Sequence, residues 1–370
     1  MHICFISDGL YRYLLPQDGQ ASGGAERQQH MLATRLSRRG HTVSAIVGSK
    51  ITGVKKVNDI FVTGGCPSSV SSPLTAFSEV QSLYTAIKTT DADMYYVRGA
   101  PRLLLAVFAL SKVLNKKVVF NVANDSDLDP TYLQHNYNPL FYQFYRYVIQ
   151  NVDGLITQTH KQRQLLRNHF NQDSIVIPNG YALPDKDNIS KHKHRKYVLW
   201  VGRSNEQKKK PMRFLELSTL LPEIQFVMIA QPSGDGSHHQ EVKENATNIE
   251  NLRFVGPVSP DEVHDYYNQA TLLVNTSDHE GFPNTYLEAW RYRTPVVALY
   301  HDIDNIIQDH NLGDVAGSMS NLSNIVKQLH FSPETRKEIG KNARKYVKKH
   351  HQIDTIVDQY ESALFDVLST

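Results

Sequence analysis

The chain has 370 residues, 40% of them hydrophobic, and a net charge of +3 at neutral pH. A length of this order corresponds to roughly two domains, each able to bury its own core, and so small a net charge argues against nucleic acid as a partner. The longest apolar stretch, 103–114, is broken by Ser111 and Lys112 and falls short of the roughly 18 residues of a membrane span, and the start Met1-His2-Ile3-Cys4-Phe5-Ile6-Ser7-Asp8 lacks the basic leader of a signal peptide, so a cytoplasmic place is expected.

In chain order, residues 2–6 read as a buried strand holding Cys4, followed by a helix over about 25–39 and a strand at 41–47. Cys66 falls in a loop, and the two cysteines suggest neither a disulfide scaffold nor a zinc cluster. Further strands are expected at 94–97, 117–122, 154–157 and 175–177, and Pro178-Asn179-Gly180 is a turn that closes this half. Residues 182–195 read as a linker that runs into the basic stretch Lys191-His192-Lys193-His194-Arg195-Lys196. A second alternation follows, with strands at 197–202, 225–230, 252–255, 270–275 and 294–298 and helices near 212–221 and 260–269. The stretch 333–368 is helical, His238-His239 reads as an exposed loop, and none of the 17 histidines has a metal-ligand spacing. Strand-helix alternation of this kind predicts an α/β protein of two Rossmann-like, doubly wound parallel-sheet domains facing across a cleft, the default active site. The expected limits are 1–181 for the first domain, 182–195 for the linker, 196–350 for the second domain, and 351–370 for a C-terminal helix able to pack back on the first.

The sharpest chemical signal is Glu280-Gly281-Phe282-Pro283-Asn284-Thr285-Tyr286-Leu287-Glu288, which follows the strand at 270–275. Pro283 biases Phe282 away from helical geometry, so a helix starts around Asn284 or Thr285 with Asn284 as its N-cap. Glu280 then lies on the loop and Glu288 about one turn inside the helix, and both can address the crevice at the strand's carboxyl end. Backbone amides at that helix start suit an anion, and a glutamate inside it suits ribose hydroxyls, so the pair points to a nucleotide sugar. The plain alternative for Glu288 is an acid that stabilises the helix dipole.

Ser22-Gly23-Gly24-Ala25-Glu26 opens the first long helix, where glycines let backbone approach a phosphate, although a Gly-Gly pair also suits an ordinary flexible turn. Trp200-Val201-Gly202-Arg203 ends a strand and Lys208-Lys209-Lys210 follows; a guanidinium fork and an ammonium could neutralise a leaving diphosphate, and a solvated loop is the alternative for the lysines. Residues 1–180 carry 18 Lys+Arg against 12 Asp+Glu and residues 181–370 carry 22 against 25. The basic first half could favour an anionic bilayer or a phosphorylated acceptor, against a background of ordinary solvated charge.

These motifs in this order resemble glycosyltransferase family 4, the retaining nucleotide-sugar enzymes of GT-B architecture, and their wording is similar to bacterial surface-polysaccharide members. The resemblance rests on Gly23-Gly24-Ala25-Glu26, Ile177-Pro178-Asn179-Gly180, Val201-Gly202-Arg203 with its lysines, Phe254-Val255-Gly256-Pro257-Val258 and the segment from Glu280 to Glu288. It implies transfer of a sugar from a UDP- or GDP-sugar to a hydroxyl of a glycan or lipid-linked glycan, with retained configuration and with no metal or separate cofactor. Arg203, Lys209 and Glu280 would then act at the reacting end. Lys208 is the alternative to Lys209, since counting back from Pro211 favours one and counting forward from Arg203 the other. Glu288 would hold the ribose, Val255 and Val258 would edge the base, and Gly202 with Gly281, Phe282, Pro283, Asn284 and Thr285 would surround donor sugar and phosphates. Gly23 and Gly24 would meet the diphosphate from the opposite domain, which implies domain closure. Many members have a histidine after the strand at 117–122; here Asn121-Val122-Ala123-Asn124-Asp125-Ser126-Asp127 stands there, leaving Asn124 and Asp127 as donor contacts. Acceptor contacts fall on Tyr11, Arg12 and Arg98. Thr294 replaces a common glycine and would alter packing only. The resemblance is also compatible with a peripheral place on the inner face of the membrane, with a non-catalytic donor-binding subunit, and with another GT-B enzyme such as a sugar-nucleotide epimerase; it implies no oligomeric state.

Overall fold

The computed structural model describes residues 1–15, 23–48, 51, 53–67, 73–234, 236–259, 261–278 and 280–370; Ser22 of the glycine motif and Pro260 of the expected 260–269 helix lie outside them. The described residues form two compact units, one of 1–15, 23–180 and 353–370 and the other of 181–352.

The first unit is built on eight strands, β1 (His2–Ser7), β2 (Thr42–Val47), β3 (Val54–Val57), β4 (Ile60–Gly64), β5 (Met94–Arg98), β6 (Lys117–Asn121), β7 (Gly154–Thr157) and β8 (Ile175–Val176). Their spatial order is β3-β4-β2-β1-β5-β6-β7-β8. Every pairing is parallel except β3 with β4, where a tight connection at Asn58-Asp59, both with positive φ, turns the chain back on itself. That hairpin departs from the purely parallel expectation. Alternation along the central strands divides two cores: Cys4, Ile6, Tyr95, Val97, Val118 and Phe120 face one, and Ile3, Phe5, Met94, Tyr96 and Val119 face the other. The second core also receives the helix Ile353–Ser369, whose Ile353, Ile356, Val357, Tyr360, Ala363 and Leu364 recur at helical spacing. Asn121 Nδ2 donates to the Tyr360 hydroxyl at 2.6 Å. A Cβ on Gly180 would come within 2.8 Å of the end of the Ile353 side chain, so a larger residue in the turn closing the first half would have to push that side chain aside.

The second unit has six parallel strands, β9 (Tyr197–Arg203), β10 (Phe226–Gln231), β11 (Leu252–Val255), β12 (Ala270–Asn275), β13 (Val296–Ala298) and β14 (Gly313–Val315), in the order β11-β10-β9-β12-β13-β14. Val198, Trp200, Phe226, Met228, Leu272 and Val274 share its core with Phe214 and Leu217 of the helix Pro211–Leu220.

Two expectations need correction. Residues 182–195 are not a free linker but part of the second unit, and the division falls after Gly180. Arg195, only 6% exposed, donates to the carbonyls of Ala270 (3.0 Å) and Tyr292 (2.6 Å) and to Thr294 Oγ1 (2.6 Å). The basic run at the end of the expected linker thus contains an arginine capping carbonyls of the fold, and Thr294 is its partner as well as a packing residue. His238-His239 is likewise no loop: both lie in the helix Ser237–Thr247, half-buried, with His239 Nδ1 2.9 Å from Ser204 Oγ.

Candidate active site

In the second unit the strand order reverses between β9 and β12. Open parallel sheets leave a ligand crevice outside the carboxyl ends of the strands at such a reversal. Arg203 ends β9 and Asn275 ends β12, so both are delivered there. Gly202 is required next to Arg203 because a Cβ would come within 2.8 Å of the Trp200 ring. The indole in turn organises the lysine loop: Trp200 Nε1 donates to Thr276 Oγ1 (3.0 Å), and that hydroxyl donates to the carbonyl of Lys209 (2.8 Å). Lys210, at φ +50°, ends the loop just before Pro211 starts the next helix.

The three lysines consequently differ. Lys208 is exposed. Lys209 forms an ion pair with Glu280, and Lys210 lies 3.7 Å from Asp278. Arg213 also pairs with Asp278, donates to the carbonyl of Thr276 (3.1 Å) and lies over the Tyr300 ring at 5.3 Å. The Arg203 side chain is exposed and has no hydrogen bond or ion pair among the described residues. Among the described residues it is a cation without an ion-pair partner, at the carboxyl end of β9.

Glu280 Oε1 accepts from Lys209 Nζ, from Ser277 Oγ at 2.7 Å and from Asn275 Nδ2 at 3.4 Å, and its side chain is 11% exposed. Burial pushes its carboxyl upward, but the Lys209 charge, the hydrogen bonds from Lys209 and Ser277, and His301 together outweigh it, so the group sits below its ordinary value. An acid held in its charged form is unsuited to protonate a leaving group. It can orient a hydroxyl-bearing ligand or stabilise positive charge. Asn275, Ser277, Asp278, Arg213 and His301 were not singled out in the sequence; the polar run Asn275-Thr276-Ser277-Asp278 directly after a fully buried strand was the available signal.

Glu288 lies in the helix Asn284–Arg291, 6% exposed, and accepts from the hydroxyls of Tyr181 (2.9 Å) and Tyr267 (2.7 Å). The N-cap of this helix is Pro283, not Asn284, which is its first residue. Proline's restricted φ already suits a helix entry, so the helix starts at the earliest position that the ring permits. Gly281, Phe282 and Pro283 are buried, while Asn284 and Thr285 are half-buried. Val255 and Val258 flank the open Gly256 at the carboxyl end of β11 and are half-buried.

In the first unit Gly23 is the N-cap of the helix Gly24–Arg38, and the exposed Gly24 is its first residue. Gln28 ties this helix to the closing turn, donating to the carbonyl of Gly180 (3.3 Å) and accepting from its amide (3.1 Å). Arg98, 8% exposed, donates to Asn179 Oδ1 at 2.5 Å. Arg12 lies over the Tyr11 ring at 5.6 Å, and both are half-buried. The Asp127 carboxylate accepts from the amides of Ala123 (3.2 Å) and Asn124 (3.0 Å) and shapes its own turn, while Asn124 is exposed. Glycine helix start, Arg98 and Pro178-Asn179-Gly180 thus meet in one unit; Asp127 is tied to the backbone of its own loop.

Residues 22–183 match the sequence family described as Glycosyltransferase Family 4, and residues 195–329 match Glycosyl transferases group 1. Among curated relatives, the alpha-monoglucosyldiacylglycerol synthase of Streptococcus pneumoniae is 25% identical over 56% of this chain and 54% of its own length. The chain spans about half the length of the first curated relatives it matches, 45% and 54%. Among solved structures, sucrose-phosphate synthase from Thermosynechococcus elongatus superposes with a TM-score of 0.82 at 17% identity, covering 100% of this chain and 99% of that one. Anabaena HepE in complex with UDP and glucose does so with a TM-score of 0.77 at 16% identity, covering 98% of each. At such identities the structural likeness speaks to the fold, two parallel-sheet α/β domains of GT-B type.

Proposed function

The chain belongs to the family 4 and group 1 glycosyltransferases of GT-B architecture, and we propose that within them it moves a sugar from a nucleoside-diphosphate sugar to a hydroxyl of a glycan or glycolipid, with retained anomeric configuration and without a metal. The observation that carries this reading is Arg203, without an ion-pair partner among the described residues, at the β9/β12 reversal that the Lys209–Glu280 pair also borders. A guanidinium fork matches two phosphate oxygens. The Lys209 ammonium has three donors, so it can reach a phosphate while keeping Glu280. Glu280 then orients the transferred sugar, and Glu288 meets the ribose by sharing its carboxylate with Tyr181 and Tyr267.

In the proposed step the acceptor oxygen bonds to the anomeric carbon as the bond from that carbon to the diphosphate breaks. The acceptor proton passes to the departing phosphate on the same face, and the nucleoside diphosphate leaves. Arg203 and Lys209 stabilise the charge that builds on it, the role that a preorganised cation performs best in a water-poor site. The low, ion-paired state of Glu280 supports this electrostatic role over that of a general acid. Neighbouring folds solved with UDP and UDP-glucose, and relatives named for glycolipid synthesis, support a uridine donor and a lipid-linked acceptor at a membrane surface. Among the described residues no helix is long and apolar enough to cross a membrane.

The test is a thermal-shift panel of UDP- and GDP-sugars, followed by turnover with chelator present and by the anomeric configuration of the product. Arg203→Ala is expected to keep nucleotide affinity within a few-fold and to lower kcat by about 10²-fold or more. Wild-type turnover in that variant, or a folded protein that neither binds nor consumes any donor of the panel, defeats the reading.

A further inference from the structure

The first unit carries an apolar groove, about 560 Å³, between the helices Pro101–Val113 and Pro139–Asn151. Leu105, Phe108, Leu140, Phe141, Phe144 and Tyr147 line it. Leu140, Phe144 and Tyr147 are 66%, 56% and 57% exposed, an unusual state for three large side chains within two helical turns. The helix Pro139–Asn151 is amphipathic in two directions: Tyr142, Tyr145, Val148 and Ile149 are buried, and the apolar Leu140, Phe144 and Tyr147 remain outside. Folding the unit needs only the first set.

Charge selects the occupant. From residue 94 to 124 and from 130 to 152 the chain has no Asp or Glu, so the two helices carry Arg102, Lys112 and Arg146 and no acid. Arg102 lies over the Tyr137 ring at 5.3 Å beside the groove, and Lys112 over Phe108 at 5.3 Å while sharing Asp153 at 3.5 Å. Arg146 is exposed and has no hydrogen bond or ion pair among the described residues. A second copy docking through the same face would bring like charges together. An apolar surface bordered by cations instead matches an anionic bilayer, whose phosphates lie above acyl chains.

We propose that this helix pair is the surface by which the protein docks on an anionic lipid bilayer, with Leu140, Phe144 and Tyr147 entering the headgroup–acyl boundary and Arg102 and Arg146 meeting lipid phosphates. It deepens the glycolipid reading and rests on it, since a lipid-linked hydroxyl is reached from such a surface.

The experiment is co-sedimentation of the full chain with vesicles of phosphatidylglycerol and phosphatidylcholine, and with phosphatidylcholine alone. Wild type is expected to partition on the mixed vesicles and to lose most of that binding without phosphatidylglycerol or in high salt. The exposed substitutions Leu140→Glu and Phe144→Glu together are expected to lower the partition coefficient at least ten-fold. Arg102→Gln with Arg146→Gln, a variant that leaves the apolar side chains intact, should lower it roughly five-fold per charge. Thermal shift with UDP is measured on the same proteins without vesicles. Retained UDP binding with unchanged vesicle binding in both variants overturns the surface alone, whereas loss of vesicle binding in proteins that never bound UDP supports the surface and defeats the donor reading. Absence of vesicle binding by wild type, or a dimer that both variants dissolve, overturns the proposal.

Discussion

Replacing Lys209 by methionine removes the counter-charge of Glu280 while preserving much of the side chain's length. The two side chains are 28% and 11% exposed, so the pair lies between the buried and surface regimes. Breaking a buried pair costs roughly 3–5 kcal/mol, and exposure on the lysine side discounts this to about 2 kcal/mol. Its pH dependence identifies the cause. In the wild type Glu280 is held below its ordinary 4.5, so its contribution is present above that value and is lost as pH falls through the lower folded value. In Lys209→Met, burial is opposed mainly by Ser277 and His301, the carboxyl moves above 4.5, and stability falls as pH rises through the raised value. The gap between the two proteins should therefore be small near pH 3 and reach about 2 kcal/mol by about pH 7, or about 4–8 °C in Tm. The chain's two tryptophans, Trp200 and Trp290, both lie in the second unit, so fluorescence-detected melting follows that unit alone. A gap that does not change with pH, or a double variant with Glu280→Gln no more stable than Lys209→Met, refutes the ion-pair account.

Glu288→Ala takes an acceptor from two phenols at once, at about 1–3 kcal/mol each, whereas Glu288→Gln keeps one carbonyl acceptor. Both should weaken UDP binding about ten-fold by calorimetry, with the larger Tm loss in the alanine variant; wild-type affinity in Glu288→Gln removes the ribose role. Asp127→Asn replaces a charged acceptor of two backbone amides by a neutral one, and should lower stability of the first unit by about 1–2 kcal/mol in urea unfolding followed by circular dichroism, leaving UDP affinity unchanged. An unshifted urea midpoint would show that those amides do not depend on the charge.

Much of the candidate site was legible because its segments are contiguous in the sequence. The strand ending at Arg203, the lysine loop, and the Glu280 loop ahead of a proline-started helix are each local patterns of periodicity and backbone restriction. Which of the three lysines pairs with Glu280 was not local. It follows from Thr276 holding the Lys209 carbonyl under Trp200, across 67 and 76 residues of chain. The linker reading of 182–195 missed Arg195 for the same reason, since its carbonyl partners at Ala270 and Tyr292 lie 75 and 97 residues away in the chain.

By itself the sequence determined the alternation of strands and helices, and with it the parallel sheets and the carboxyl-end loops where chemistry collects, because hydrophobic period and turn residues act over a few positions. Only the tertiary structure decided which charges are compensated. It paired Lys209 with Glu280 and Arg213 with Asp278, gave Glu288 two tyrosines, and left Arg203 without a partner among the described residues. Electrostatic roles depend on distances between segments far apart in the chain, and those distances exist only once the sheet has set the ends of β9 and β12 side by side.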